Sequence, residues 1–477
     1  MQIKQRFTSA GLASAFTVVL AGCMVGPNYK KPVVPVPPTF AGATASADNS
    51  QSPIAYTNWW KVFNDPVLSD LETQADQANR DIKIAVAHVD QASAFTQGVR
   101  SQLYPTIGIG ASGLRAREAQ NRPNNGNTAG HAATYNDTQL SLAASYEFDA
   151  WGRIRRSIES ARATQEASHA DLRFVTLSVE SDVAVTYYNL RQTDQELQIL
   201  SNTIDTLRQS LDLTTSLFQK GLSSELEVKQ AQTLLDQTTA QQHAAELQRA
   251  QMEHGLAVLL GRTVESFSLP AAPLQSLPPQ IPIGLPANLL ERRPDIVEAD
   301  RSVAAATAQI GVAKAAYFPQ LSLTGLAGYE SSNAAHLLNW QNSIASLGTS
   351  VAAPLFTGGR LKAGVEQAQA VYRQSLAQYE KTVLGAYRET EDQLSALHFL
   401  EQEADAQGRA VQEAQQAQAI ATARYKSGLV SYLDVVVAEQ TVLANERSAA
   451  QIAGERMVAS VVLIKTLGGG WNGTATP

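Results

Sequence analysis

The sequence predicts a membrane β-barrel joined to an all-α helical barrel, made from two internal copies of a helix–strand–strand–long helix–turn–helix unit and completed as a homotrimer. Three observations carry this. The chain repeats at a fixed lag: Arg153 and Arg360, Gly221 and Gly428, and Gly261 and Gly468 are each 207 residues apart. Two proline-free helical runs, Gly152–Phe218 and Gly359–Tyr425, are about 67 residues each, or roughly 100 Å at 1.5 Å per residue. Four alternating segments of about ten residues have the length of a transmembrane β-strand, and no mature stretch has the roughly twenty apolar residues of a spanning helix.

Sequence echoes surround the landmarks. WGRIRRSIESARA (151–163) returns as GGRLKAGVEQAQA (358–370), and AVLLG (257–261) as LIKTLG (463–468). YPTIGIGASG (104–113) returns as FPQLSLTGLAG (318–328), but Pro105 and Pro319 are 214 apart, so the first copy carries about seven extra residues in a loop. Composition narrows the partners. Charged residues are 17% of 477 and the net charge is −7, with no basic cluster, which argues against nucleic acid. The mild negative charge is read as serving solubility.

The chain opens with Lys4 and Arg6, an apolar run from Ala10 to Leu20, then Ala21 and Gly22, so residues 1–22 read as a secretory leader. Cys23, the single cysteine, has no internal partner. Leu20-Ala21-Gly22-Cys23 resembles the bacterial lipobox, which implies a lipoprotein carrying N-acyl and S-diacylglycerol groups on Cys23; the alternative is an unmodified buried cysteine. No other cofactor is expected. Met24, rather than Asp, at the next position resembles lipoproteins sent on to the outer membrane. Several acyl chains at about 0.8 kcal/mol per buried CH₂ would hold this end in lipid. Residues 23–57, including KKPVVPVPPTF, read as an extended tether.

The first copy occupies 58–267. Trp59, Trp60 and Phe63 begin ordered structure, and Asp65 followed by Pro66 is a favoured helix start. One helix is expected from there to about Gln102, with Leu68, Leu71, Ala75, Ala78, Ile82, Ala85 and Val89 at helical steps. Pro105 stops it. Strands are expected at 104–114 and 138–149, separated by a polar segment. GIGASG (108–113) matches the nucleotide-binding GxGxxG formally, but a helix precedes it and a strand contains it, so that reading is set aside. In the long helix that follows, Leu197, Leu200, Ile204, Leu207, Leu211 and Phe218 form a heptad seam with Thr214 in the gap. A turn at LFQKGLSSELEV (217–228) then leads into a return helix from Ser224 to about Leu260.

The Pro-rich stretch 268–286 reads as a connector, and the second copy fills 287–467 before a tail at 468–477. Its strands are expected at 318–329 and 346–357. Its long helix carries Leu361, Val365, Ala368, Tyr372, Leu376, Tyr379, Val383 and Ala386 on one stripe. RYKSGLVSYLDVVV (424–437) reads as helix end, tight turn and helix start, with Gly428 in the left-handed conformation and Ser431 as cap. Two strand pairs per chain cannot close a barrel, and an open edge in lipid leaves backbone groups unpaired. Closure must therefore come from other chains, and three supply twelve strands.

These residues together carry a family resemblance. NWWKVFNDPVLSDL (58–71), LLERRPDIVEAD (289–300), FPQLSLTG (318–325), PLFTGGRL (354–361), RYKSGLVSYLDVV (424–436) and Cys23 resemble the outer membrane factor family, the trimeric exit ducts of bacterial efflux and type I secretion systems. The likeness covers nearly the whole chain and is nearest the lipidated, NodT-like branch serving resistance–nodulation–division drug pumps. It implies an outer-membrane barrel, a periplasmic α-helical tunnel, and partnership with a periplasmic adaptor and an inner-membrane pump. It assigns adaptor docking to the tips Gly221, Leu222, Ser223 and Gly428, Leu429, Val430. It assigns the periplasmic gate to Asp434, its copy Glu227, and Tyr425. Carboxylate rings at a narrow neck repel one another and attract cations; Asp434 can equally stabilise a helix N-terminus. Val430 and Val437 depart from members with an arginine and a second acid there.

An enzyme is not expected. The histidines are scattered without an HExxH pair, and there is no GxSxG or P-loop. His243 and His254, eleven apart, read as solvated or packed, and Glu389, Glu391 and Asp392 as a solvated helix face or a tunnel lining. The functional expectation is a passive exit duct for drugs or other small molecules. Heavy-metal efflux or type I secretion are alternatives, and a lipid-anchored coiled-coil protein without a pore is a reading of another class. Four methionines offer little to a metal duct.

Overall fold

A computed structural model of the chain describes residues 24–35, 37, 40, 58–119, 134–274, 278–279, 281 and 293–469. The leader, Cys23, residues 41–57 and much of the connector lie outside the described residues. The elements run α1 (Pro66–Ala78), α2 (Arg80–Arg100), β1 (Thr106–Arg117), β2 (Thr134–Phe148), α3 (Arg153–Gln219), α4 (Glu225–Leu259), α5 (Pro294–Ala315), β3 (Gln320–Ser331), β4 (Ser343–Ala352), α6 (Arg360–Lys426) and α7 (Tyr432–Thr466). Both long helices have 67 residues and both return helices 35.

The repeat extends to the hydrogen bonds that end helices. After α3, Gly221 N–H donates to Phe218 O at 2.9 Å and Leu222 N–H to Leu217 O at 2.9 Å; after α6, Gly428 donates to Tyr425 O at 2.8 Å and Leu429 to Arg424 O at 2.9 Å. Gly261 and Gly468 close α4 and α7 in the same way. This is the Schellman pattern, and Gly221 and Gly428 sit at φ 73° and 71°, where a Cβ would be strained.

Some sequence expectations need correction. The helix expected from Pro66 to about Gln102 breaks at Asn79, whose backbone is extended. Its Oδ1 accepts from Asp81 and Ile82 N–H at 2.8 and 3.1 Å, and its Nδ2 donates to Leu259 O at 2.8 Å. A short amide side chain that satisfies free backbone donors replaces the helix continuation. The strand expected at 346–357 runs instead from Ser343 to Ala352, because Pro354 brings no N–H to the ladder. β2 begins earlier than expected, at Thr134, pairing with the far end of β1. Phe218, placed in the seam by spacing, is 43% exposed, whereas Leu200, Ile204, Leu207 and Thr214 are buried.

The chain divides into two compact units, each drawing on both copies. The described residues of the first fall within 24–32, 90–167 and 300–378 and hold an antiparallel sheet in the order β1-β2-β3-β4. Within it, the segment after Met24 is held by Arg156, whose side chain is only 1% exposed. Arg156 donates to Asn28 Oδ1 at 2.7 Å, to Glu159 Oε2 at 2.7 Å and to Val25 O at 3.3 Å. A Cβ on Gly311 would come within 2.9 Å of Val25 O, so glycine is what lets this segment lie on α5.

The described residues of the second unit fall within 33–89, 168–299 and 379–469. Its main core joins Trp59, Trp60, Phe63, Leu68 and Leu71 to Val183, Tyr187 and Tyr188 of α3, and to Met457, Val461 and Ile464 of α7. Asp65 caps α1 through Val67 and Leu68 N–H at 2.9 and 3.1 Å and accepts from Tyr187 OH at 2.7 Å.

Candidate functional site

Strand register decides what the sheet can do. Direct partners share a face, and successive residues alternate. Ile109 opposes Leu142, which opposes Ala327, which opposes Ala345; Ile107, Ala144, Gly325 and Leu347 form the next level. Tyr146 with Leu323, and Phe148 with Leu321 and Val351, extend the same face. The opposite face carries Ser141, Ser145, Ser322, Thr324, Ser346 and Ser350, with Asp137, Glu147 and Glu330. There Ser322 and Ser350 hydroxyls meet at 2.6 Å, and Gln320 donates to Glu147 at 2.8 Å. One face is thus predominantly apolar between Leu140 and Phe148, and the other, which also carries Leu114, Leu326 and Ile344, is the more polar. From Phe148 to Leu140 the apolar face spans about 27 Å along β2 at about 3.4 Å per residue, close to the apolar band of a membrane barrel. GIGASG lies inside β1 and opens no helix. Among the described residues, no helix is long and apolar enough to cross a membrane.

The second feature is the paired turn of the second unit. Leu222 and Leu429 at the tips are 72% and 68% exposed, and Val430 and Ser223 are half-buried beside them. Behind the tips, Leu207, Ala231, Leu234, Tyr432, Val435 and Val436 make a small core against which Tyr425 packs. Tyr425 OH donates to Glu227 Oε2 at 2.9 Å, and its ring lies 5.3 Å from that of Tyr432. Two of the three gate candidates therefore meet. Asp434 does not join them: it accepts from Ser431 N–H and Oγ at 3.1 and 3.0 Å, the capping role open to it in the sequence.

Burial raises the Tyr425 phenol, with its bond to Glu227 adding, so the hydroxyl stays a donor at neutral pH. Tyr432 is pushed up to about 12 by burial and by Glu439. Glu439 was not singled out by sequence reasoning. It is 4% exposed, accepts from Ser210 Oγ at 3.1 Å, leaves Oε2 unpartnered, and burial raises its pKa. Its signal was a charge on an apolar stripe, Tyr432, Val435, Val436, Glu439, Val442 and Leu443. Glu72 is the same case on α1: fully buried on the Leu68, Leu71, Ala75 stripe, both oxygens without a hydrogen-bond partner among the described residues, its pKa raised by burial and then by Glu180 and Asp76.

Other sequence candidates fall elsewhere. Cys23 lies outside the described residues. His243 is exposed and meets Glu246 at 2.9 Å, and His254 is exposed. Glu389 departs from a purely solvated face, because it holds the buried Arg293 at 3.0 Å, which also donates to Thr466 O at 3.2 Å. Among the described residues, no group of three or more His, Cys, Asp or Glu side chains is placed to hold a metal.

Comparison with known proteins agrees with this arrangement. The model of the outer membrane efflux protein family matches residues 71–262 and 285–469, one match in each copy. The chain is 33% identical over 463 residues to the solvent efflux pump outer membrane protein SrpC of Pseudomonas putida, covering 95% of this chain and 97% of that protein. It is 30% identical over 461 residues to the cation efflux system protein CusC of Escherichia coli O157:H7, with coverage of 95% and 97%. Among solved structures it resembles the outer-membrane channel OprN (TM-score 0.87, 30% identity, 94% of this chain and 100% of that one). It also resembles the Campylobacter jejuni CmeC outer membrane channel (TM-score 0.88, 27% identity, 95% and 96%).

Proposed function

We infer the function from one premise: the chain belongs to the outer membrane efflux protein family. It is the outer-membrane exit duct of an efflux system, a passive channel rather than an enzyme. The observation that carries this is the register, which gathers most of the large apolar strand residues on one face and the acids with most of the serines on the other. Apolar outside and polar inside is what a water-filled barrel in lipid requires. β1 and β4 end the four-stranded sheet, and their edges need partners in lipid. Three chains closing twelve strands satisfy that need, with Cys23 lipidated after leader removal and anchoring each chain.

In this reading the tips Gly221–Ser223 and Gly428–Val430 present apolar Leu222 and Leu429 to a periplasmic adaptor, which couples the duct to a resistance–nodulation–division pump. Tyr425, Glu227 and Asp434 form the neck, where threefold carboxylates set a cation-favouring barrier. Relatives of similar identity are named for solvent and for cation efflux alike. The duct is accordingly permissive, with the pump selecting among drugs and other small molecules.

Single-channel conductance in planar bilayers tests the proposal, comparing wild type with Asp434→Ala plus Glu227→Ala. Small cation-selective openings that enlarge in the double variant support a duct gated at the tip. Absence of conductance from membrane-inserted protein of both kinds would refute the channel. Wild-type conductance unaltered by the substitutions would leave the duct and remove its gate from these residues.

A further inference from the structure

The two sheet faces differ in charge as well as in polarity. In the described strands, the polar face carries only acidic charges, Asp137, Glu147 and Glu330. The apolar face carries only Arg115 and Arg117, both on β1 and both at one end. Arg115 opposes Asn136 and Arg117 opposes Thr134, beyond the level where Ala111, Leu140, Tyr329 and Ser343 face one another. Both side chains are exposed and neither has an ion-pair or hydrogen-bond partner among the described residues.

Position gives these arginines their meaning. They stand at the hairpin end of the sheet, the end away from the strand termini that lead into α2, α3, α5 and α6. Tyr329 ends the apolar band on this face, and Trp340, 80% exposed, lies beside it in the β3–β4 connection. Interfacial aromatics mark the depth at which hydrocarbon gives way to headgroups. Arg115 lies four residues past Ala111 along β1, about 14 Å at about 3.4 Å per residue, less when the strand tilts. That places Arg115 on the lipid-facing surface, at the headgroup side of the leaflet beyond the hairpins, with Arg117 about 7 Å further out and both able to reach back toward it. Beside Asn136 and Thr134, and with no anionic partner among the described residues, these guanidinium groups are open to an anion that the headgroup layer supplies. Guanidinium matches phosphate by paired N–H···O bonds.

We propose that Arg115 and Arg117 form a binding surface for the phosphate of a phosphorylated glycolipid in the outer leaflet, seating the barrel at a fixed depth. The proposal rests on the barrel reading above, since the apolar face must meet lipid. Three such pairs, one per chain, would ring a closed trimer. Free phosphate in solution is a weaker occupant, because it gains nothing from the adjoining apolar face.

The test uses the full-length protein in phosphatidylcholine nanodiscs containing a minor fraction of lipid A or of enzymatically dephosphorylated lipid A. Retention of each glycolipid by the protein is read by mass spectrometry after mild detergent exchange. Wild type should retain lipid A over its dephosphorylated form on the order of ten-fold. Arg115→Gln plus Arg117→Gln should abolish the preference, Arg115→Lys plus Arg117→Lys should keep part of it, and Arg424→Gln should leave it unchanged. Inorganic phosphate added in excess should not displace the lipid; if it does, the surface binds phosphate and not the lipid. Equal retention of both lipids by wild type would overturn the proposal while leaving the duct intact, provided the same preparation conducts in planar bilayers. Failure to insert into bilayers would overturn both.

Discussion

Glu72, Asp76 and Glu180 show how single residues of this chain couple its stability to pH. Burial pushes Glu180 up to about 8, with the nearby Asp76 charge adding to the effect and a 2.8 Å bond from Trp59 Nε1 opposing it. Glu72 is raised by burial and by both neighbours, and Asp76 by burial. In the unfolded chain the two glutamates ionise near 4.5 and Asp76 near 3.8, so the folded state binds more protons at these groups as pH rises above those values. The contribution of Glu180 to stability is therefore full below about pH 4.5 and is lost as pH rises through about 8. The melting temperature of the detergent-solubilised protein should fall across that window and then level. Glu180→Gln should flatten the decline, and an unchanged slope would place the pH dependence in other groups. None of this required recognising the family: a glutamate on an apolar stripe is visible at Glu72 and at Glu439. What the sequence withheld was the identity of the neighbours, because Glu180 lies more than a hundred residues from Glu72.

At the scale of elements, the helix-ending turns were legible because glycine is needed there for a local reason. Gly221 and Gly428 have positive φ, and a Cβ added at either would meet open space, so the cost of a side chain is backbone strain alone. Gly428→Ala should destabilise the tip by about 1–2 kcal/mol without disturbing packing. Hydrogen exchange at Leu429 and Val430 N–H should rise locally while the α3 amides near Tyr187 stay protected. Global loss of protection would show that the turn supports more than itself. Gly328 is the contrasting case, since a Cβ there would clash with Leu140 O, a contact between strands far apart in sequence. The break at Asn79 was hidden by the apolar steps that continue through Ile82 and Ala85; the Asn79 side chain caps the following N–H groups, and its bond to Leu259 O, far off in sequence, fixes it there.

For the whole molecule, the unpaired edges of β1 and β4 set the prediction. Paired cysteines walked along β1 from Ile107 and along β4 from Val351 should, at one register, crosslink chains into a covalent species of three times the chain mass. Crosslinking that stops at dimers, or forms only within a chain, would refute closure by three. The sequence by itself determined the two copies, the long helices, the four strands and their alternation, because each follows from a period or a turn residue acting over a few positions. The Tyr425–Glu227 bond and the buried Glu439 were decided only by tertiary structure. So were the common face of Ile109, Leu142, Ala327 and Ala345, and the isolation of Arg115 and Arg117 from every acid on the sheet. Alternation says that neighbouring side chains point opposite ways, but a one-residue slip in pairing exchanges the faces. Which residues share a face is therefore fixed by the strand pairing, where contacts between distant parts of the chain select one register.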